Sequence, residues 1–326
     1  MSSDLVRPRW KPSAVKSLIE LRAKFLADTR AFFAQRGVLE VETPIISRSG
    51  IQDPNLASVN AQLSGLGACF LHTSPELHMK RLLASGSGDI FQVCKVFRDA
   101  ELGHKHSVEF TMVEWYRLGF SLEQMMHETV QYCCERLSLN QPAIYISYSE
   151  LFRKFQDLDP ISISHEDLVG YVATIDSTIE AQRLSKMQLL DYLMSTKVEP
   201  ELDPNTLTCV YDYPAEQAAL AELDPADRRL AKRFEVFFGS IELANGYLEL
   251  QDANEQRARF ENEARQRVEG GLPAVPMDEL FLAAMDHGLP VCSGVAVGLD
   301  RLLMVASGSD DIRDVLAFSL EGGDAK

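Results

Sequence analysis

Apolar residues recur every three to four positions between residues 13 and 37, and this spacing predicts a long amphipathic helix that ends at Gly37. Residues 38–46 then alternate apolar and polar positions as a strand does, and Pro44 restricts that strand to a sheet edge or an irregular conformation. The chain therefore opens with a helix and an edge strand. The apolar face of the helix is predicted to contain Val15, Leu18, Phe25, Phe32 and Phe33.

Later segments show the same two patterns, the helical spacing of three to four residues and the alternation of a strand. Strands are predicted at 69–73, 89–97, 109–118, 206–214, 233–251 and 291–298, and helices at 75–85, 122–137, 252–270, 277–288 and from residue 299. Ser74 is predicted to cap the helix at 75–85, with Pro75 in its first turn. Because the strands follow one another through hairpins more than through crossover helices, we expect an α+β fold with an antiparallel sheet flanked by helices.

Residues 142–204 differ from the rest because they carry short helical patterns and few strand signals. Strand patterns resume after them, so we interpret this segment as a helical insertion rather than an independent domain. The predicted organisation is an N-terminal tail at 1–14 and a single domain at 15–326.

The chain has 326 residues, of which 46% are hydrophobic, so it is long enough to bury a substantial core. Its 32 basic and 48 acidic residues give a net charge of −16 with no concentrated basic segment, which disfavours extended contact with nucleic acid. Six cysteines lack metal-like spacing, which predicts reduced thiols. No apolar stretch approaches the roughly 18 residues of a membrane helix and residues 1–13 lack a signal core, so we expect a cytoplasmic protein.

The most charged segment lies between the predicted strands at 89–97 and 109–118. Arg98 stands where the first strand ends, and Phe110 stands where the second begins. A guanidinium binds phosphate in a bidentate geometry and an aromatic ring stacks on a base, so this hairpin is a candidate nucleotide site, with His104 and His106 beside the phosphates. Taken alone, the segment is explained better by an exposed hairpin with ordinary ion pairs, and a zinc site is disfavoured because no cysteine lies nearby.

Three glutamates, Glu235, Glu242 and Glu249, recur at intervals of seven in the predicted hairpin at 233–251. An odd interval alternates faces in a single strand, but a turn at Gly239 and Ser240 brings Glu235 and Glu242 together. Paired carboxylates among apolar residues need a cation, and Mg²⁺ bound to nucleotide phosphates supplies one, while Glu249 is placed to face a cationic substrate group. The alternative interpretation is three solvated carboxylates at the rim of the sheet.

Residues 292–304 predict a strand that leads into a helix. Gly294 and Gly298 permit a close approach of the backbone to a ligand, and Arg301 lies in the first turn of the helix. Because an arginine at this position opposes the helix dipole, we expect it to have an anionic partner.

Taken in order, residues 38–46, 97–116 and 294–304 resemble motifs 1, 2 and 3 of the class II aminoacyl-tRNA synthetases, and residues 234–250 resemble the metal and substrate hairpin of the lysyl enzymes. The resemblance implies an antiparallel sheet flanked by helices, a homodimer formed through motif 1, and ATP and Mg²⁺ as cofactors.

The resemblance also implies roles for single residues. Arg98 and Arg301 are the implied catalytic residues that contact ATP phosphates, Phe110 stacks on adenine, and Glu235 with Glu242 binds Mg²⁺. The other positions implied to bind ATP, besides Glu242, are Asp99, Ala100, His106, Ser107, Leu243 and Gly298. The positions implied to bind the amino acid are Ser74, Pro75, Glu76, Glu114, Tyr116, Asn245, Glu249 and Ala296.

The chain departs from the lysyl enzymes in ways that change the implied function. Only a short tail precedes the first helix, where those enzymes have an anticodon-binding OB-fold, so no N-terminal OB-fold and no tRNA substrate are expected. In this the chain resembles the truncated lysyl paralogues that form the family of elongation factor P (R)-β-lysine ligases. That resemblance implies transfer of the activated amino acid to a lysine side chain of elongation factor P.

Two substitutions carry further expectations. Ala296 stands where lysyl-tRNA synthetases usually have glycine, and its methyl group is expected to disfavour an α-amino group and to suit (R)-β-lysine. Ala100 stands where a nucleotide-contacting glutamate is expected, so Asp99 or Glu101 takes that role or adenine recognition is weaker. Two other functions stay open at this point: a lysyl-adenylate enzyme that acts on a tRNA or a small acceptor, and a non-catalytic paralogue that senses an amino acid.

Overall fold

The structure is a computed structural model that describes residues 10–99 and 101–319. Its strands are β1 (Leu39–Glu40), β2 (Ile46–Ser47), β3 (Asn60–Leu63), β4 (Gly67–Leu71), β5 (Ile90–Phe97), β6 (Glu109–Leu118), β7 (Ile144–Ser147), β8 (Leu207–Pro214), β9 (Leu230–Phe238), β10 (Ile241–Leu248) and β11 (Cys292–Gly298). Eight of them form one sheet in the order β1-β5-β6-β11-β10-β9-β8-β7, and β2, β4 and β3 form a small second sheet.

The helices are α1 (Lys16–Ala34), α2 (Glu76–Ala84), α3 (Leu122–Leu137), α4 (Tyr148–Gln156), α5 (His165–Ile175), α6 (Lys186–Leu193), α7 (Ala253–Glu269), α8 (Glu279–Gly288), α9 (Leu299–Ser307) and α10 (Ile312–Val315). The α+β prediction is therefore confirmed. Within the described residues, no helix combines the length and the apolar character that a membrane crossing requires.

The large sheet is antiparallel from β5 through β8, as predicted. Both of its outermost pairs, β1 with β5 and β7 with β8, are parallel, which the sequence analysis did not predict. The irregular edge strand expected around Pro44 is confirmed, because β1 contains only two residues at the edge of the sheet and the chain then leaves to form β2.

One face of the large sheet carries the main hydrophobic core, on which α1, α3 and α9 pack. Phe33 of α1 stacks on Phe91 of β5 with ring centroids 4.4 Å apart, and Trp115 and Tyr132 are buried beside them. Because side chains alternate along a strand, the neighbours of these core residues point to the opposite face. That opposite face is therefore available for a site.

The ends of two helices differ from their predicted positions. Val15 is 53% exposed because it precedes the first turn of α1, so its predicted place on the apolar face is wrong, whereas Phe25 is buried as predicted. Helix α2 begins at Glu76 with Pro75 before it, one residue later than predicted. Gly37 has a φ of +67° just after α1, the left-handed conformation that commonly follows a helix end.

The segment between β7 and β8 forms helices α4 to α6 and several short helical turns. Its buried residues, among them Tyr148 and Leu189, form a second hydrophobic cluster that also includes Tyr213 of β8 and Phe237 of β9. The segment therefore packs directly against the large sheet. Residues 144–147 form β7 in that sheet, so the helices begin later than residue 142, and the division of the chain into domains stays a prediction.

All six cysteines lie in the described residues and are free, in agreement with the predicted reduced thiols. Four of them are buried, which suits the behaviour of a free cysteine as a small apolar residue.

Candidate active site

A cavity of about 1220 Å³ lies on the face of the large sheet opposite the main core. Asp99 is not among the residues that line it, because its side chain is exposed and its backbone N–H donates to the Ala57 carbonyl at 2.8 Å. Pro75 is also absent from the walls, because it is buried at the start of α2, and Ala100 lies outside the described residues. The predicted site residues that do line the cavity are Ser74, Glu76, Arg98, His106, Ser107, Phe110, Glu114, Tyr116, Glu235, Glu242, Leu243, Asn245, Glu249, Ala296, Gly298 and Arg301.

The register of the sheet brings residues that are distant in sequence into rows. Glu114 on β6 pairs with Ala296 on β11, Ala296 pairs with Asn245 on β10, and Asn245 pairs with Glu235 on β9. Directly opposite residues point to the same face, so all four side chains face the cavity. The next row on this face contains Tyr116, Gly294, Tyr247 and Arg233.

A bulge in β10 explains why glutamates at intervals of seven share one face. The pairing of β9 with β10 shifts between Glu242 and Ala244, which makes Leu243 an extra residue. Glu242 therefore faces the same side as Asn245 despite their odd spacing, and Glu249 also lines the cavity. The predicted turn at 239–240 is present, but it needs this bulge to align the glutamates.

Two arginines and an aromatic ring form the cationic end of the cavity. The Arg98 Cζ atom lies 5.2 Å from the centroid of the Phe110 ring, and its Nε atom is buried without a hydrogen-bond partner among the described residues. Arg301 donates from Nη1 to the backbone oxygen of Glu242 at 3.0 Å and to its Oε2 at 3.2 Å, and from Nε to the Lys105 carbonyl at 3.2 Å. Arg301 thus joins the β5–β6 loop to the β9–β10 hairpin.

Asp300, which no sequence pattern indicated, is a buried residue of the cavity wall at this cationic end. Its side chain is 1% exposed, its Oδ2 accepts from the Thr111 N–H at 2.8 Å, and its Oδ1 accepts from Arg22 Nη2 at 2.5 Å. Because Thr111 follows Phe110 and Asp300 precedes Arg301, this carboxylate links the start of β6 to the first turn of α9, where the predicted ATP contacts lie.

The two candidate histidines occupy different environments. His106 lines the cavity, and burial, together with the charge of Arg301, lowers the pKa of its imidazole. We therefore expect a neutral ring at pH 7. His104 does not line the cavity, because its exposed ring lies 3.1 Å from the Asp311 carboxylate.

The two predicted metal ligands differ in their existing contacts. Glu235 accepts from Arg233 Nη2 at 2.5 Å and from the Tyr213 hydroxyl at 2.6 Å, whereas Glu242 contacts Arg301 and is 39% exposed. Burial, with the charge of Glu242 added to it, raises the pKa of the Glu235 carboxyl against the opposing effect of Arg233.

A third carboxylate, which the sequence analysis missed, lies near this pair. Burial and the charges of Glu235 and Glu242 raise the pKa of Glu199 to about 7. Across residues 10–99 and 101–319, no group of three or more histidine, cysteine or acidic side chains is arranged to hold a metal ion by itself. Mg²⁺ usually takes one or two carboxylates and completes its shell with phosphate oxygens and water, so the pair fits an ion bound together with a nucleotide.

Carboxylates form the opposite end of the cavity. Glu114 is 2% exposed and accepts from Ser74 Oγ and from the Tyr116 hydroxyl, both at 2.7 Å. Burial, followed by the charge of Glu76, raises the pKa of Glu114 to about 7. The amide oxygen of Asn245 is buried without a partner within the described part of the chain, so this end offers acceptors for ammonium groups.

The buried ammonium of Lys80 lies behind these carboxylates and was missed by the sequence analysis. Its Nζ atom is 2.6 Å from Glu76 Oε1 and 2.6 Å from Glu249 Oε2. Burial alone would lower the pKa of Lys80, but the charges of Glu249 and Glu76 outweigh burial and raise it. The i,i+4 spacing of Glu76 and Lys80 on a predicted helix was the available signal.

Gly294 lines the cavity, and its lack of a side chain also serves the packing of two neighbouring groups. A Cβ atom at this position would overlap the Tyr116 ring and the Glu249 carboxylate, so the absence of a side chain makes room for these two groups. At Gly298 the nearest heavy atom to such a Cβ would be the Arg301 side chain at 3.8 Å, which is ordinary contact.

Comparison with known proteins agrees with this geometry. Residues 9–321 match the family model described as tRNA synthetases class II (D, K and N). The chain is 46% identical over 315 residues to the elongation factor P (R)-β-lysine ligase of Proteus mirabilis, which covers 95% of this chain and 97% of that protein. Proteins of the same name from Avibacterium paragallinarum and Klebsiella pneumoniae strain 342 are 44% and 43% identical, each covering 96% of this chain and 98% of the relative.

Proposed function

Because this chain belongs to the class II tRNA synthetase family of the D, K and N enzymes, we propose that it is an ATP-dependent ligase. It activates (R)-β-lysine as an acyl-adenylate and transfers it to a lysine side chain of elongation factor P. The similarity to relatives of that name extends over 95% of the chain and supports this assignment.

The observation that carries the proposal is a single cavity that has two arginines at one end and a cluster of buried carboxylates at the other. Arg98 and Arg301 line one end, and Glu76, Glu114 and Glu249 line the other. A nucleotide triphosphate suits the first end, and an amino acid with two ammonium groups suits the second. Their meeting point in the cavity is where a carboxylate would reach the α-phosphorus.

In the first half-reaction, the substrate carboxylate attacks the α-phosphorus of ATP, forms a P–O bond and displaces pyrophosphate. Arg98 and Arg301 neutralise the charge that develops on the phosphates, and Phe110 stacks on the adenine. Glu242 and Glu235 would hold Mg²⁺, which when bound adds further positive charge at the phosphates. Glu114 and Glu249 orient the ammonium groups of the amino acid.

In the second half-reaction, the acceptor amine attacks the carbonyl carbon of the adenylate. An amide bond forms, the bond from that carbon to the AMP oxygen breaks, and the amine loses one proton. A free lysine amine has a pKa of about 10.4, so its proton must be removed during the reaction.

Ala296 is the proposed determinant of the lysine isomer. It lies in the row between Glu114 and Asn245, where its methyl group meets the amino end of the substrate. We expect Ala296→Gly to increase the activation of α-lysine relative to (R)-β-lysine, measured by ATP–pyrophosphate exchange with each isomer. An unchanged ratio would exclude Ala296 as the determinant.

Glu101 is the better candidate to replace the glutamate expected at position 100. Glu101 lines the cavity and lies 3.8 Å from the Arg98 guanidinium, whereas Asp99 is not among the lining residues.

A homodimer formed through the motif 1 region is part of the proposal. Exposed apolar side chains lie in this region and in the helix before it, with Ile19 39%, Leu39 56% and Ile46 42% exposed. We further propose that the protein acts in the cytoplasm, where translation factors are found, and that its charge of −16 disfavours tRNA as a substrate.

The proposal is tested by the intact mass of purified elongation factor P after incubation with this protein, ATP, Mg²⁺ and (R)-β-lysine. We expect a gain of one lysyl residue that disappears when ATP is omitted or when Arg301→Met replaces the wild type. No gain on an acceptor that a related ligase modifies would refute the transfer to elongation factor P. A parallel incubation with tRNA and labelled amino acid tests the alternative acceptor.

A further inference from the structure

Lys80 is a buried cation that the reaction described above does not use. Its side chain is 1% exposed, and its ammonium contacts Glu76 and Glu249 at 2.6 Å each. Lys80 is not among the residues that line the cavity, so it lies behind the carboxylates that do. A lysine is almost never buried to this degree unless it is paired.

The charges around Lys80 match one class of substrate. Glu76, Glu114 and Glu249 line the amino-acid end of the cavity, and with Lys80 they carry a net charge of minus two when ionised. The adenylate of a lysine-type amino acid keeps two ammonium groups, because its carboxylate has become part of the anhydride. The two ammonium groups of such an adenylate would therefore neutralise the charge of minus two at this end of the cavity.

We propose that Lys80 is a specificity-determining positioning residue that fixes the pocket charge and the Glu249 orientation for an amino acid with two ammonium groups. This inference rests on the proposed function for the identity of the amino acid. Lys80 acts through Glu76 and Glu249, since it has no access to the cavity. Without the Lys80 ammonium, the Glu76 and Glu249 carboxylates have no compensating charge. One of them then binds a proton, and a protonated carboxyl no longer attracts an ammonium group of the substrate.

The position of Lys80 on α2 also orients the pocket. Glu76 lies one turn before it on the same helix, whereas Glu249 follows β10, so the ammonium joins the helix to the sheet beside the substrate. Ser74 precedes the same helix and donates to Glu114, which is the third carboxylate. Loss of the Lys80 charge therefore alters the carboxylate pair it contacts and leaves the Glu114 contacts in place.

The test measures the dissociation constant of (R)-β-lysine by calorimetry and the KM values for amino acid and ATP by pyrophosphate exchange. Lys80→Met should weaken amino-acid binding by at least about tenfold and leave the KM for ATP within about twofold. Lys80→Arg keeps the charge and should retain more affinity than Lys80→Met. The matched control is Arg81→Met, which removes a charge from the same helix at a half-buried residue outside the cavity walls and should bind like the wild type.

A double variant separates the charge effect from a simple loss of folding. Lys80→Met with Glu249→Gln removes both buried charges and returns the pocket to minus two, so its loss of (R)-β-lysine affinity should be smaller than the product of the two single losses. Thermal unfolding followed by circular dichroism establishes that each variant is folded.

Each outcome has one interpretation. Wild-type affinity in Lys80→Met, or a double variant whose loss is the product of the two single losses, would overturn the role of Lys80. A wild-type protein that binds (R)-β-lysine but adds no mass to elongation factor P would refute the proposed acceptor and leave the role of Lys80 supported. A wild-type protein that binds no lysine-type amino acid would overturn both.

Discussion

Replacement of Gly294 by alanine tests whether the amino-acid end of the cavity is built as described. The added methyl group would overlap the Tyr116 ring and the Glu249 carboxylate. Both groups are held from behind, because Tyr116 donates to Glu114 at 2.7 Å and Glu249 pairs with Lys80 at 2.6 Å. The methyl group therefore displaces polar contacts that cannot move freely.

The size of the effect follows from the kind of overlap. An extra methyl group in a packed site typically costs about 1–3 kcal/mol. If the strain is relieved by displacing the Tyr116 and Glu249 side chains, the protein stays folded but binds the amino acid less well. The same free energy then corresponds to a fall of about 5-fold to 150-fold in kcat/KM for the amino acid. The proposed ATP contacts, Arg98 and Phe110, lie at the other end of the cavity, so the KM for ATP should be unchanged.

The measurement is pyrophosphate exchange at varied amino-acid and ATP concentrations, together with thermal unfolding. Gly298→Ala is the steric control for stability, since its methyl group would meet only Arg301 at 3.8 Å, and its melting temperature should match the wild type. Neither glycine has a positive φ, so backbone strain does not distinguish the two variants. An unchanged amino-acid KM in a folded Gly294→Ala protein would refute the predicted crowding of Tyr116 and Glu249.

Three further predictions use the same exchange assay. Glu249→Gln should raise the KM for the amino acid far more than that for ATP, and equal increases would contradict its assignment to the amino acid. Phe110→Ala should raise the KM for ATP by about 10-fold to 100-fold if the ring stacks on a base, and an unchanged value would exclude stacking. Because the pKa of Glu114 is raised to about 7, its carboxyl is largely neutral at pH 6 and ionised at pH 8, so the KM for the amino acid should fall over this range; a KM that rises would contradict the assignment.

Local patterns were sufficient to predict most elements of the fold. Helix α3 and strand β6 have the predicted bounds, because amphipathic spacing and the Ser121 capping box define the helix and alternation defines the strand. Two strands were missed for a physical reason. Both β3 and β7 contain only four residues, none of them buried, and a segment so short does not establish a strand period.

Single residues that line the cavity could be predicted from the sequence, whereas the contacts between elements that hold them could not. Arg98, Phe110 and Arg301 stand beside strand ends and could be identified from their positions in the chain. Asp300 and Lys80 act through partners on other elements, and a single sequence does not show which buried charge meets which partner. The same limit applies to the bulge at Leu243, which no local signal in β10 indicated.

Buried charges in and behind the walls of the cavity connect its two ends to the first third of the chain. Asp300, which lines the cavity beside Arg301, binds Arg22 of α1, and Lys80 of α2 binds Glu249 behind the carboxylate end. The residues predicted to contact ATP and the amino acid lie mostly on the central strands. Helices α1 and α2 supply the charged partners that hold some of these side chains in place. Because a partner removed from a buried ion pair leaves the other charge uncompensated, changes in α1 or α2 should alter substrate recognition without touching the substrate. The proposed recognition of a nucleotide and an amino acid in one cavity thus depends on buried ion pairs that reach from the cavity into α1 and α2.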